Sequence, residues 1–153
     1  MPPLSSPSEV PPAAKWLGAL GVIPFVFLAL ASSFLEAARQ EPAQLALAAY
    51  GAVIVSFLVG IHWGLAMAGA GSDQNSGATF ARLGASVIPS LIGWGALLVS
   101  GSLGLLVMAA AFFGTLLFDW HASRMAQVPA WYLTLRWPLT AVVVASLTLA
   151  ALA

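Results

Sequence analysis

The sequence predicts an all-α membrane protein, a bundle of five transmembrane helices. Apolar residues make up 61% of the 153 positions and charged residues 7%, whereas soluble domains carry about 25% charged residues. The stretch from Pro42 to Ser72 contains no Asp, Glu, Lys or Arg. About 20 apolar residues cross a bilayer core, and backbone polar groups in lipid must pair within a helix. Such a stretch therefore predicts a membrane-spanning helix.

Five apolar segments follow one another along the chain. A tail rich in Pro and Ser, residues 1–14, precedes them and is predicted to be disordered. Residues 15–153 are then predicted to form a single transmembrane domain with mostly short connections. The predicted segments are residues 16–35, 45–68, 83–99, 103–120 and 135–152.

The positions of lysine and arginine predict an orientation. With five spans, Lys15, Arg82, Arg124 and Arg136 fall on one side of the membrane and Arg39 falls on the other. Positive residues are retained on the inner side. The N-terminus is therefore predicted inside and the C-terminus outside.

The second segment carries a stripe of small residues, Ser56, Gly60, Gly64 and Ala68. Their spacing of four places them on one helix face, where another backbone can approach closely. We expect this face to pack against a helix, either in the same chain or in a second copy. His62 lies about 200° around the helix from Gly60, so it points away from the stripe. If both faces are packed, the second segment lies near the centre of the bundle.

A histidine within a membrane helix is costly to place in hydrocarbon, which makes His62 the first candidate for a functional site. Trp63, Asp119, His121 and Arg136 are predicted toward the same, inner face and are further candidates. Aromatic rings with a few polar groups suit a quinone or a lipid headgroup. The alternative is structural: His62 is hydrogen-bonded inside the bundle, Asp119 pairs with an arginine, and His121 is wet at the interface.

Metal, enzyme and nucleic-acid chemistry have little support. The chain has two histidines and no cysteine, and structural zinc needs three or four such ligands or carboxylates, so no metal is expected. Haem needs one or two axial histidines; His62 and His121 could clamp one only if their helices are neighbours. No nucleophile–base spacing or phosphate-binding loop is present, which argues against an enzyme. The formal net charge is zero, which does not favour nucleic acid.

Two classes of function remain. The first is a structural, assembly or interaction subunit, either a homo-oligomer or part of a larger membrane complex, which the stripe and the short connections favour. The alternative is a binder of a small apolar ligand (a quinone, a lipid or haem) in the inner half of the bundle, or a small transporter. A proton relay needs a chain of intramembrane Asp, Glu and His, and no continuous chain is visible. We favour the first class.

Three stretches resemble an uncharacterised bacterial and mitochondrial membrane protein family, the one that includes transmembrane protein sixty-nine. They are YGAVIVSFLVGIHWG at residues 50–64, SVIPS at residues 86–90 and PAWYLTLRWPLT at residues 129–140. The resemblance covers about Trp16 to Ala150, with Trp137 standing where a small or aliphatic residue is expected. It implies a multi-pass, five-helix protein of the bacterial inner membrane, or of the mitochondrial inner membrane in a eukaryote. It implies no activity and no catalytic residue.

Overall fold

A computed structural model describes residues 9–69, 80–99 and 101–153, and the secondary structure of this part is five α-helices. The predicted all-α fold class is therefore confirmed. In chain order the helices are α1 (Pro12–Phe34), α2 (Ala37–Gly69), α3 (Phe80–Leu98), α4 (Ser102–Arg124) and α5 (Ala130–Leu152).

Four of these helices are long and apolar enough to cross a membrane: α1, α2, α4 and α5. The apolar part of α3, Leu83–Leu98, is shorter. Complete α3 has 19 residues, and at 1.5 Å per residue it is about 28 Å long, close to the ~30 Å hydrocarbon core. The molecule is a helical membrane bundle.

The helices extend beyond the apolar segments from which they were predicted. Lys15 lies in the first turn of α1, Arg39 in the first turn of α2 and Arg124 at the end of α4. Hydrophobicity marks where lipid begins, whereas the backbone hydrogen bonds continue into the polar interface. For the same reason α1 begins at Pro12, inside the predicted tail; the part of that tail before Glu9 lies outside the described residues.

The five helices form a ring in which each packs against its neighbours in the chain, and α5 closes the ring against α1. In addition α2 packs against α4 and α5, so it touches all four other helices. Helix α2 thus has more neighbouring helices than any other helix, but a central position was predicted only if both of its faces are packed. The main core is aliphatic and aromatic, and its fully buried members include Phe25, Leu47, Met108, Phe112 and Leu147.

A short turn joins α3 to α4. Gly101 has a φ of 71°, the left-handed region that glycine enters without strain. At Gly104 an added Cβ would collide with the Val99 carbonyl and lie 2.7 Å from the Ala96 oxygen. At the same end of the bundle the Gln44 side-chain amide donates to the Ala150 carbonyl at 2.7 Å, which joins the first turns of α2 to the last turn of α5. We call this end the hairpin end, and the opposite one the α4–α5 end.

Candidate functional site

Three ionisable side chains from three helices meet inside the bundle. His62 on α2 and Arg136 on α5 flank Asp119 on α4. His62 Nε2 lies 2.7 Å from Asp119 Oδ1, and Arg136 Nε–H donates to Asp119 Oδ2 at 2.7 Å. The exposed fractions of His62, Asp119 and Arg136 are 1%, 0% and 5%. Each carboxylate oxygen thus has a buried partner, and we call these three residues the His–Asp–Arg triad.

The triad lies toward the α4–α5 end, but inside the helices. Arg136 is six residues beyond the start of α5, which is about 9 Å along its axis. A lone charge at that depth in lipid is costly, and pairing offsets the cost. The sequence predicts that Arg136 lies on the inner side, next to the start of a span near residue 135. The predicted start of this span is wrong, because α5 begins at Ala130, and Arg136 lies within the helix and bonds inside the bundle.

His62 is held by two neighbours. A carboxylate only accepts hydrogen bonds, so Nε2–H of His62 donates to Asp119. The ring also meets the Phe118 ring edge-on, with centroids 4.6 Å apart. The other ring nitrogen, Nδ1, is buried with no partner among the described residues. The contacts of His62 and Asp119 are therefore those of the structural alternative. His62 is hydrogen-bonded inside the bundle, and the Asp119 carboxylate pairs with an arginine.

One face of α5 carries a column of buried polar residues. Tyr132, Arg136 and Thr140 follow at intervals of four, so they lie above one another on that face. Arg136 Nη2 and the Thr140 hydroxyl are buried without a hydrogen-bond partner in the described part of the chain, and the Tyr132 hydroxyl is buried near the Asp119 carboxylate. Sequence reasoning singled out Arg136 alone. The spacing of four was the available signal for Tyr132 and Thr140, but it is weak without knowledge of which face is buried.

A cavity of about 470 Å³ lies beside this column, between α1, α2 and α5. Tyr132 and Arg136 form part of its wall, and Arg136 is the one charged residue there among the residues described. The remainder of the wall is mostly apolar. The exposed side chains Leu17 and Phe57 belong to it as well, so the cavity reaches the lipid-facing surface. The wall of one cavity thus combines two polar residues with a large apolar surface.

Two predicted site residues lie elsewhere. Trp63 is 39% exposed and His121 is exposed, and neither lines the cavity. The neighbouring Trp120 contacts the Arg124 guanidinium, and the distance from Arg124 Cζ to the centroid of the Trp120 ring is 4.8 Å. Of the two histidines considered for a haem, His62 is thus buried and bonded to Asp119, whereas His121 is exposed. Within the described ranges no three His, Asp or Glu side chains come together as metal ligands would.

Three members of the small-residue stripe on α2 are left uncovered by the described residues. Ser56, Gly60 and Gly64 are exposed, and a Cβ added at either glycine would meet nothing within 4 Å. No helix in the described part of the chain covers these three positions, and a partner helix, which was expected in the same chain or in a second copy, is not shown. The side chain of Ala68 lies outside the described residues. Packing against a second copy remains a prediction.

Comparison with known proteins identifies the family. Residues 10–152 match the family described as "Protein of unknown function (DUF3429)". The chain belongs to this family. It is also 33% identical over 141 residues to Transmembrane protein 69 of Xenopus tropicalis. That match covers 91% of this chain and 53% of the relative, so the chain spans about half the relative's length. No solved structure matches the chain. The resemblance in the sequence is confirmed, and this membership assigns no activity.

Proposed function

We propose that this DUF3429 protein binds an amphipathic, membrane-soluble molecule in the cavity between α1, α2 and α5. One observation carries the proposal: a cavity of about 470 Å³ has an apolar wall interrupted by two polar side chains, Tyr132 and Arg136. Small-molecule sites have this character. They typically measure about 300–1,000 Å³, are lined by apolar groups and carry a few polar groups that orient the ligand.

The triad contributes to this function by holding Arg136. Asp119 bonds to Nε of the guanidinium and His62 bonds to the other carboxylate oxygen. Arg136 is thereby fixed at one edge while Nη2 keeps its hydrogen-bonding capacity. The polar part of the ligand lies beside the Arg136 side chain, and its apolar body is buried against the rest of the wall.

A cavity-filling variant tests the proposal. Gly21 lines the cavity, and an added Cβ there would meet nothing within 4 Å. Gly21→Leu is therefore expected to occupy the ligand space without a clash at the Cβ. Gly114→Leu is the matched control, because Gly114 is equally open but lies on the exposed face of α4. Both variants and the native chain are extracted in mild detergent and analysed by native mass spectrometry.

The expected result is a small molecule retained by the native chain and by Gly114→Leu but absent from Gly21→Leu. Gly21→Leu should still unfold in one cooperative transition, which excludes misfolding as the reason for the loss, and its melting temperature should lie below that of Gly114→Leu because a bound ligand stabilises the folded state. Equal retention in Gly21→Leu and the native chain contradicts binding in this cavity. A native chain that carries no small molecule, even after incubation with a membrane lipid extract, also contradicts it.

A second candidate function is an interaction subunit, and the uncovered stripe favours it. Close approach of two helices in lipid uses small residues at such spacing, and Ser56, Gly60 and Gly64 form an open face of α2. Since the chain has no cysteine, Ser56→Cys introduces a single thiol. Oxidation in native membranes should give a disulfide-linked dimer if a second copy packs there. Gly114→Cys on α4 is the control, and equal cross-linking of both variants contradicts a dimer at the stripe.

We also propose which membrane holds the protein and which way the protein faces in it. We expect an inner membrane, bacterial or mitochondrial, with the α4–α5 end inside. Lys15 and Arg124 lie at that end and Arg39 lies at the hairpin end, a pattern that the retention of positive residues favours. Met125→Cys should then resist an impermeant thiol reagent applied outside intact cells, whereas Glu36→Cys should react. The reverse labelling pattern contradicts the orientation.

A further inference from the structure

Helix α1 is packed unevenly along its length, and its looser half covers the cavity. We infer that the first half of α1, residues 12–23, is a gate that swings about Pro24 and lets the cavity exchange its ligand with the bilayer. This inference rests on the proposed function, because the gate serves the cavity between α1, α2 and α5. Its support comes from the packing of α1, from the proline and from the position of the cavity mouth.

The two halves of α1 differ in burial. No residue of the first half is buried, whereas the second half contains the buried residues Phe25, Ala29 and Ser32. The Phe25 ring contacts the rings of Tyr50 and Phe112, with centroids 4.9 and 5.5 Å away. The second half of α1 is therefore anchored in the core, and the first half lies on the bundle without entering it.

The other helices that reach the same end of the bundle are anchored there. Helix α5 buries Tyr132 and Arg136 in its first turns, and α2 and α4 bury His62 and Asp119 near this end. The corresponding part of α1 has no such residue. In lipid no hydrophobic effect presses a helix against the bundle, so packing and hydrogen bonds decide whether it stays. The first half of α1 therefore separates from the bundle at a lower cost than its neighbours.

Few contacts hold the gate in place. The Tyr50 hydroxyl donates to the Gly21 carbonyl at 2.9 Å, and among the described residues this is the one side-chain hydrogen bond to the gate from another helix. On the α5 side, Gly18 lies so close that an added Cβ would be 2.8 Å from Leu139 Cδ1. Glycine brings no side chain to this contact. A single hydrogen bond and a short apolar seam thus keep the gate against the bundle.

Pro24 is a hinge between the two halves. It lies inside α1, and because proline has no N–H, the Leu20 carbonyl lacks its usual helical hydrogen bond. Helices kink at such positions by more than about 20°. Trp16 lies about 12 Å from Pro24 along the axis, so a further bend of ~20° moves it by about 4 Å.

The mouth of the cavity lies beside the gate. Two exposed residues of the wall, Leu17 on α1 and Phe57 on α2, place the mouth between these helices. Phe57 is about 8 Å farther from the α4–α5 end than His62 is, which places the mouth in the hydrocarbon region. An outward swing of the gate widens this mouth, so a ligand enters from lipid without passing through water.

Distances between spin labels test the gate in the full chain in lipid nanodiscs. The chain has no cysteine, so labels attach only to introduced thiols. Trp16→Cys/Thr134→Cys spans from the gate to α5, and the control Leu30→Cys/Leu149→Cys spans from the second half of α1 to α5. All four positions are exposed. Pulsed EPR should show a second population, longer by about 4 Å, for the first pair and a single distance for the control.

Two variants examine the hinge and the hydrogen bond. Pro24→Ala supplies the N–H that Leu20 lacks and should reduce the longer population. Tyr50→Phe keeps the ring beside Phe25 but loses the bond to Gly21, and should increase that population about two- to ten-fold, as expected for one hydrogen bond. A single distance for both pairs overturns the gate. A longer population that Pro24→Ala leaves unchanged overturns the hinge.

Ligand exchange separates the gate from the proposed function. The native chain and Pro24→Ala are incubated with a lipid extract from deuterium-labelled cells, and native mass spectrometry follows the mass increase of the retained molecule. Exchange should be slower in Pro24→Ala, although Pro24 is outside the cavity wall. Equal exchange rates overturn the gate while ligand binding stands. If neither chain retains a small molecule, or if Gly21→Leu retains it equally, the proposed function fails and the gate fails with it.

Discussion

The two faces of α2 differ although the helix is almost uniformly apolar. One face turns His62 into the bundle, 1% exposed, where it bonds to Asp119. The other face presents Ser56, Gly60 and Gly64 outward with open space beside the glycines. In water, apolar residues would decide which face is buried. In lipid, both faces are equally tolerable to the solvent, so the polar residue that needs a partner decides the rotation of the helix.

Six ionisable residues fall into two groups that differ in where they lie. One group forms the buried network of His62, Asp119 and Arg136. The other group lies at the ends of the helices and consists of Lys15, Arg39 and Arg124. A network that links α2, α4 and α5 fixes their relative rotation, because a turn of any one helix breaks a short hydrogen bond. The uncovered face of α2 is then a consequence of the His62 contact.

The largest expected effect is at Asp119, the centre of the network. Asp119→Leu leaves the Arg136 guanidinium and the His62 Nε2–H buried without their partner. Breaking a buried ion pair from one side costs about 3–5 kcal/mol. We expect a loss of that size in the free energy of unfolding, measured by reversible denaturation in mixed micelles.

The control for this prediction removes the whole network. In His62→Leu/Asp119→Leu/Arg136→Met no buried charge is left, and apolar replacements of buried ion pairs are often neutral or stabilising. This triple variant should therefore recover most of the loss in Asp119→Leu. A single variant as stable as the native chain would mean that the network does not fix the rotation of α2.

A smaller effect is expected at His62. His62→Leu removes one hydrogen bond to a charged acceptor, worth about 1.5–3 kcal/mol, and leaves the Arg136–Asp119 pair in place. On the outward side of the same helix, Val53 is 64% exposed, and Val53→Leu should change stability by less than about 0.5 kcal/mol. Thermal unfolding of both variants compares the two faces. Unchanged stability and unchanged bound molecules in His62→Leu would remove the histidine from any site.

Much of the fold was predictable from the sequence because lipid leaves few solutions. A long uncharged stretch must be a helix, so the number, order and class of the elements followed from hydrophobicity alone. The helix ends did not. Arg136 interrupts the apolar pattern and was assigned to a boundary, but its side chain bonds inward and α5 continues past it to Ala130.

The site was predictable only in part. His62, Asp119 and Arg136 stood out because ionisable residues in membrane helices need partners, and they do meet. Trp63 and His121 were grouped with them by depth, yet depth does not say which way a side chain points around its helix. Tyr132 was missed for the same reason. Its role depends on a cavity formed by α1, α2 and α5 together, and no single segment encodes that.

Two glycines, one in the α3–α4 connection and one on α2, test whether the outward face of α2 is truly open. Gly104→Ala places a Cβ against the Val99 carbonyl and 2.7 Å from the Ala96 oxygen. Because backbone atoms move little to relieve such a clash, we expect Gly104→Ala to lower the free energy of unfolding by about 1–3 kcal/mol through overpacking. Gly60→Ala meets nothing within 4 Å, and alanine favours helix over glycine by up to about 1 kcal/mol.

Gly60→Ala should therefore leave the free energy of unfolding unchanged or raise it slightly, while Gly104→Ala lowers it. Both are measured by denaturation at two protein-to-detergent ratios. If Gly60→Ala instead destabilises the protein, and does so more at the higher ratio, the added methyl group must collide with a second copy. The outward face of α2 would then be an interface between protomers, because a face that contacts only lipid has no reason to depend on protein concentration.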